Sequence, residues 1–131
     1  MKFRTSVLDG KTVIIELETG DEGRLVELMT EFGDGYAIFG EGVPVPIAVV
    51  DGRLLEEEWC TSEHLLAIEA HELGHIRTDS IDEPVAELEA IRLLESTGHS
   101  AAADLLRARG IVDLDSAFDP RASVVAQNCG M

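Results

Sequence analysis

From Thr61 to Gly110 the sequence is punctuated into three helical segments with very little chain between them, and that spacing governs what the rest can fold into. Thr61 or Ser62 can cap the first segment, and Leu65, Leu66, Ile68, Leu73 and Ile76 supply its apolar positions. "RTDSID" reads as a turn. A second helix follows from about Glu83 or Pro84 to Ser96, proline being acceptable in a first turn. Gly98 closes it, Ser100 opens a third through "AAADLLRAR", and Gly110 ends that one. The small residues Ala86 and Ala90 let the second helix approach the first closely.

The N-terminal half has a different character. "RTSVLDGKTVIIEL" predicts a β-hairpin, with Asp9-Gly10 as a two-residue turn. "DEGRLVELMTEF" places Leu25, Leu28, Met29 and Phe32 at helical spacing, with Gly33 and Gly35 as the stop. "YAIF" and "VPVPIAVV" are short extended runs, the second ending at an Asp51-Gly52 turn. Pro44 and Pro46 make Val43 to Ile47 an edge or irregular segment. The fold class is therefore α+β: a small N-terminal sheet with one helix, then three helices. At 131 residues the chain is one domain, 1–131, in which 112–131 is a tail of weak periodicity.

Charge narrows the functional classes. The net charge is −16, from 26 acidic and 10 basic residues, and such a field repels phosphate backbones and anionic membranes. Nucleic acid and membrane are not expected partners. No apolar run is long enough to span a bilayer, and Asp9, Gly10 and Lys11 interrupt any signal-peptide core. A soluble, cytoplasmic protein is the expectation. Cys60 and Cys129 are too few for a disulfide framework and form no Cys-x-x-Cys pair, which excludes a thiolate zinc knuckle.

Within the first of the three helices lies His71-Glu72-Leu73-Gly74-His75. Residues four apart on a helix share a face, so His71 and His75 can present their imidazoles to one metal ion. Glu72 is rotated off that face and available to a water molecule at the ion, whose pKa zinc lowers to about 7. This division of labour is that of a zinc hydrolase, with Glu72 as general base. Gly74 leaves the face uncrowded at a cost of about 1 kcal/mol in helix propensity. The bland alternative, a surface helix with two solvated histidines, explains each residue but not their joint placement.

A zinc hydrolase needs a third protein ligand. Thr78 and Ile81 occupy the places where a longer His-Glu-x-x-His-x-x-Gly-x-x-His pattern would put glycine and histidine, so a nearby third histidine is ruled out. Asp79, Asp82, Glu83, Glu87, Glu89 and His99 are left. Glu83 and Glu87 are four apart and share a face with Ala90 and Leu94, whereas Glu89 is turned away. Both could equally be first-turn acids favoured by the helix dipole. On spacing alone either glutamate can be the third ligand.

"AHELGH" followed by "EPVAELEAIRLL" resembles the gluzincin metallopeptidases, in which a glutamate helix supplies the third ligand. The second segment is similar to the pattern of the ImmA/IrrE-type peptidases, and the short length is similar to that of the minigluzincins. The resemblance covers Thr61 to about Leu94. It implies that His71, His75 and Glu83 bind Zn2+, that Glu72 is catalytic, and that Glu87 supports the first histidine, with Glu87 as the alternative third ligand. It also implies a peptide or protein substrate. The extended segment Ile47 to Val50 is then the strand expected to pair with an extended peptide.

Five other residues have readings of their own. His64 lies seven before His71 and is expected in a hydrogen bond or in packing. His99 is a turn residue that could instead donate to a developing oxyanion, as could Tyr36 or Arg77. Cys129 could cap the metal as a thiolate and hold the enzyme latent, against the plainer reading of a free tail cysteine. Two rivals to a peptidase stand beside it: a zinc-binding structural or regulatory module without turnover, and a metal-free acidic protein that binds a basic partner.

Overall fold

The computed structural model describes residues 1–110, and the predictions for 112–131 and Cys129 lie outside the described residues. Its architecture is mixed α+β, as the sequence predicts. Strands β1 (Lys2–Thr5), β2 (Val13–Leu17), β3 (Gly35–Ile38) and β4 (Ile47–Asp51) form one sheet in the order β1-β2-β4-β3. β2 and β4 run parallel, with Ile15 beside Val49, and the outer pairs are antiparallel. Helix α1 (Arg24–Phe32) precedes β3, and a short 3-10 helix, Gly52–Glu56, follows β4 in place of the expected Asp-Gly turn. Helices α2 (Ser62–Thr78), α3 (Glu83–Ser96) and α4 (Ser100–Arg109) complete the described chain.

Alternation along the strands sorts the core into layers. Ile15, Leu17 and Val49 point to one face, where Leu25, Leu28 and Met29 of α1 cover them. Ile14, Ala48 and Val50 point to the other face and meet Leu65 and Ile68 of α2. The opposite side of α2, through Ala67, Ala70 and Leu73, packs on Ala90, Ile91 and Leu94 of α3 and on Ala102, Ala103 and Leu106 of α4. α2 is thus sandwiched between sheet and helices, and every residue from Ala67 to His75 is buried. Fully burying a side chain such as Ile68 or Leu73 contributes about 1.5–3 kcal/mol, so the polar motif rides on a firmly held helix.

Two expectations about the strands need correction. The β1–β2 connection is the seven-residue loop from Ser6 to Thr12, not a two-residue turn, because Thr5 pairs with Val13. The wider loop delivers Leu8 to the helical core and the Ser6 hydroxyl to Glu69 of α2. Asp9 still organises it, accepting from the backbone N–H groups of Lys11 and Thr12 at 2.9 Å each. Ile47 to Val50 is not an exposed rim: β4 lies between β2 and β3, and a continuous apolar run such as Ala48-Val49-Val50 suits a strand buried on both faces. The edges among the described residues are β1 and β3. Gly35, expected as a helix stop, instead begins β3.

The helical half follows its punctuation. Thr61 caps α2 by accepting from His64 N–H at 3.4 Å, while His64 Nδ1 accepts from Thr61 N–H at 3.2 Å. α2 runs two residues past Ile76 and stops at Asp79, the one non-glycine residue with positive φ, 49°, among those described. Asp82 caps α3, its side chain accepting from Val85 N–H at 3.1 Å, with Pro84 in the first turn. No helix among the described residues is long and apolar enough to cross a membrane.

Candidate metal centre

α2 and α3 cross where neither has bulk. A Cβ on Gly74 would stand 2.0 Å from the Ala86 carbonyl oxygen, so only glycine permits this crossing. The close approach sets the start of α3 against the two histidines. His71 Nε2 lies 2.8 Å from Glu83 Oε2, His75 Nε2 lies 3.1 Å from Glu83 Oε1, and the two Nε2 atoms are 3.2 Å apart. Their rings stand edge to face, 87° between planes. Glu83 and Glu87 therefore both reach His71, but from opposite sides: Glu87 Oε1 is 2.7 Å from Nδ1.

The hydrogen bonds behind the rings define what the rings present in front. His75 Nδ1 lies 2.7 Å from the Ser80 carbonyl oxygen, which can only accept, so Nδ1 carries the proton. That carbonyl arrives there because the left-handed Asp79 folds the chain back at the helix end, where Ser80 N–H also donates to His75 O at 3.1 Å. The Ser80 hydroxyl oxygen then accepts from Asp82 N–H at 3.0 Å. This compact turn is how seven residues suffice between His75 and Glu83. At His71 the acceptor is the Glu87 carboxylate, itself gripped by Arg109 through Nε at 3.1 Å and Nη2 at 2.7 Å. With Nδ1 as the donor in each ring, Nε2 is the nitrogen turned toward Glu83, the position from which an imidazole would bind a metal.

Charge and spacing suit a cation. Among the described residues the buried carboxylates of Glu72, Glu83 and Glu87 face one guanidinium, which leaves two negative charges when all three are ionised. Polar atoms of His71, His75 and Glu83 converge on one point, as the ligands of a single cation would. In a tetrahedral site with bonds of about 2.0–2.1 Å, ligand atoms sit about 3.3 Å apart, close to the separations found here. His71, Glu72 and His75 each offer a ligand atom, all within 4.8 Å of one another, and this cluster could hold a metal ion.

Glu72 sits beside the cluster. It is 2% exposed, and its Oε1 has no hydrogen-bond partner among the described residues. Burial pushes its carboxyl up to about 7, with Glu83 adding to the rise and His71, His75 and Arg109 opposing it. β3 passes directly over it: a Cβ at Gly35 would lie 3.2 Å from Glu72 Oε2 and 2.7 Å from Ile68 Cγ2. Phe39, one residue beyond β3, stacks on the His75 ring with centroids 6.2 Å apart.

The structure brings together His71, Glu72, His75, Glu83 and Glu87, and disposes of the other candidates. Asp79 and Asp82 terminate helices, and Glu89 pairs with Arg77 at 3.1 Å. His64 belongs to the α2 cap and meets the edge of Trp59. His99 precedes α4 without capping it through its side chain. The Tyr36 hydroxyl donates to Leu25 O at 2.8 Å on the α1 side of the sheet, and burial pushes it up to about 12. Two residues that no sequence motif singles out belong to the site: Ser80, through its carbonyl, and Arg109.

Compared with known proteins, the chain matches no family model, no curated protein and no solved structure. What stands on the residues themselves is a His-Glu-x-x-His cluster, with acidic partners from a neighbouring helix, that could hold a metal ion.

Proposed function

We propose that this chain is a small zinc-dependent metallopeptidase of gluzincin type, with His71, His75 and Glu83 as the zinc ligands. The observation that carries the reading is the convergence of two imidazole Nε2 atoms and the Glu83 carboxylate at 2.8–3.2 Å. A set of two imidazoles and one carboxylate is a usual donor set of catalytic zinc. Glu83 is favoured over Glu87 because it faces Nε2, whereas Glu87 lies behind the ring at Nδ1.

Zinc in such a site supplies Lewis acidity toward water and toward a carbonyl group. Glu72 is the group that accepts a proton from the attacking water and returns it to the leaving amine. Its burial suits that traffic, as does an Oε1 that no side chain among the described residues claims. β3 takes over the role expected of Ile47 to Val50. It is an edge of the sheet as the described residues form it, and it runs over Glu72 at Gly35, so an extended peptide laid along it would pass the base.

The test joins metal content to cleavage. Protein purified without added zinc should carry it stoichiometrically, Glu83→Ala should lose it, and Glu72→Gln should keep it while abolishing cleavage of a diverse peptide mixture read by mass spectrometry. Metal without cleavage of any peptide would favour the module without turnover. Failure to take up zinc at all would overturn the metal reading and leave the acidic interaction protein.

A further inference from the structure

We propose that Arg109 is a positioning residue of this centre: by holding Glu87 it fixes the ring of His71 and ties metal binding to the docking of α4. The inference rests on the zinc reading above and concerns a residue 38 positions from its histidine. Arg109 ends α4, three residues beyond Leu106 on the stripe that packs into the core. Its Nε donates to Glu87 Oε2 at 3.1 Å, and its Nη2 donates to Oε1 and Oε2 at 2.7 and 2.8 Å.

A carboxylate held in this way is an acceptor only, so the proton shared with His71 belongs to the imidazole. Arg109 Nη2 and His71 Nδ1 are 3.2 Å apart, the separation of two donors converging on the same oxygen, Glu87 Oε1. The ring is therefore held at Nδ1 with its Nε2 toward Glu83 and His75, where it would offer a lone pair to zinc. Glu87 is wholly buried, and among the described residues no other Lys or Arg bonds to it. Without the guanidinium no other cationic side chain among the described residues keeps the carboxylate in place, and His71 loses the acceptor that orients it. Ala102, Ala103 and Leu106 hold α4 to the core independently, so Arg109 is not required merely to dock that helix.

The experiment is a double-mutant cycle read as zinc affinity, by competition with a chromophoric chelator, on wild type, Arg109→Met, Glu87→Gln and the double variant. Circular dichroism verifies that each is folded. Arg109→Met should weaken zinc binding about ten- to a hundredfold, the range for loss of an outer partner of a ligating histidine. In the Glu87→Gln background the same change should add no more than about a twofold loss, because the two residues act as one unit. Arg109→Lys should recover part of the affinity. Wild-type affinity in Arg109→Met, or equal losses in both backgrounds, would overturn the role given to Arg109 while leaving the zinc site standing. A wild type that binds no zinc would overturn the site reading and this one with it. If Arg109→Met does not fold, Arg109→Gln takes its place in the cycle, and the same losses are expected of it.

Discussion

The two histidines occupy one face of one helix, yet they are held by unlike means. His75 leans on a backbone carbonyl five residues away, delivered by a local turn. His71 leans on a buried carboxylate from α3 that is in turn held by a guanidinium from α4. The first support is neutral and short in sequence; the second is charged and exists only when three helices are packed. A neutral acceptor within one turn tolerates changes elsewhere in the fold, whereas a buried ion pair depends on every partner.

The largest effect expected is on the charged side. Glu87→Ala strands Arg109, 12% exposed, without its anion, and should lower the unfolding free energy by about 3 kcal/mol in urea denaturation. A variant as stable as wild type would show that the two supports do not differ in this way. Chelation comes next, since on the zinc reading it would remove the charge that balances the centre. Relative to apo protein, zinc at a hundred times its dissociation constant should raise stability by about 2.7 kcal/mol, seen as a concentration-dependent rise in Tm. A Tm indifferent to zinc would remove the link between the centre and the fold.

Gly74→Ala tests the helix crossing that brings α3 to both supports. The added methyl meets the Ala86 carbonyl, and overpacking of this kind costs about 1–3 kcal/mol. His75 should keep its Ser80 bond while His71 loses Glu87, which imidazole NMR resonances can distinguish. Asp79 offers the smallest change. Asp79→Val should cost about 1–2 kcal/mol, because a β-branched residue resists the left-handed conformation, whereas Asp79→Gly should leave zinc affinity unaltered. Equal Tm values for the valine and glycine variants would deny the turn its part in holding His75.

The helical half was legible because its signals are local. Thr61, Asp82 with Pro84, Gly98 and Gly110 bound their helices by cap chemistry that needs no tertiary context. The i, i+4 spacings of His71 with His75 and of Glu83 with Glu87 likewise mark faces that the fold brings together. The strands were read less well. Asp9-Gly10 has the composition of a tight turn, but the burial of Leu8 in a distant core decides the loop's width. The apolar run at β4 carries no period that tells an interior strand from a rim. Ser80 acts through a carbonyl, which no side chain advertises. Arg109 left one faint trace, its place on the buried stripe of α4 after Ala102 and Leu106.

Asp79's left-handed turn also bears on the order in which a growing chain can assemble the site. The support for His75 needs nothing beyond Ser80, so it can form before α3 has packed. The support for His71 needs α3 and α4 both packed on α2. A chain in which only the first has formed would present one aimed imidazole and one without its carboxylate support. On the metal reading, full affinity would then wait for the docking of α4, so that a partly folded chain would hold an ion only weakly.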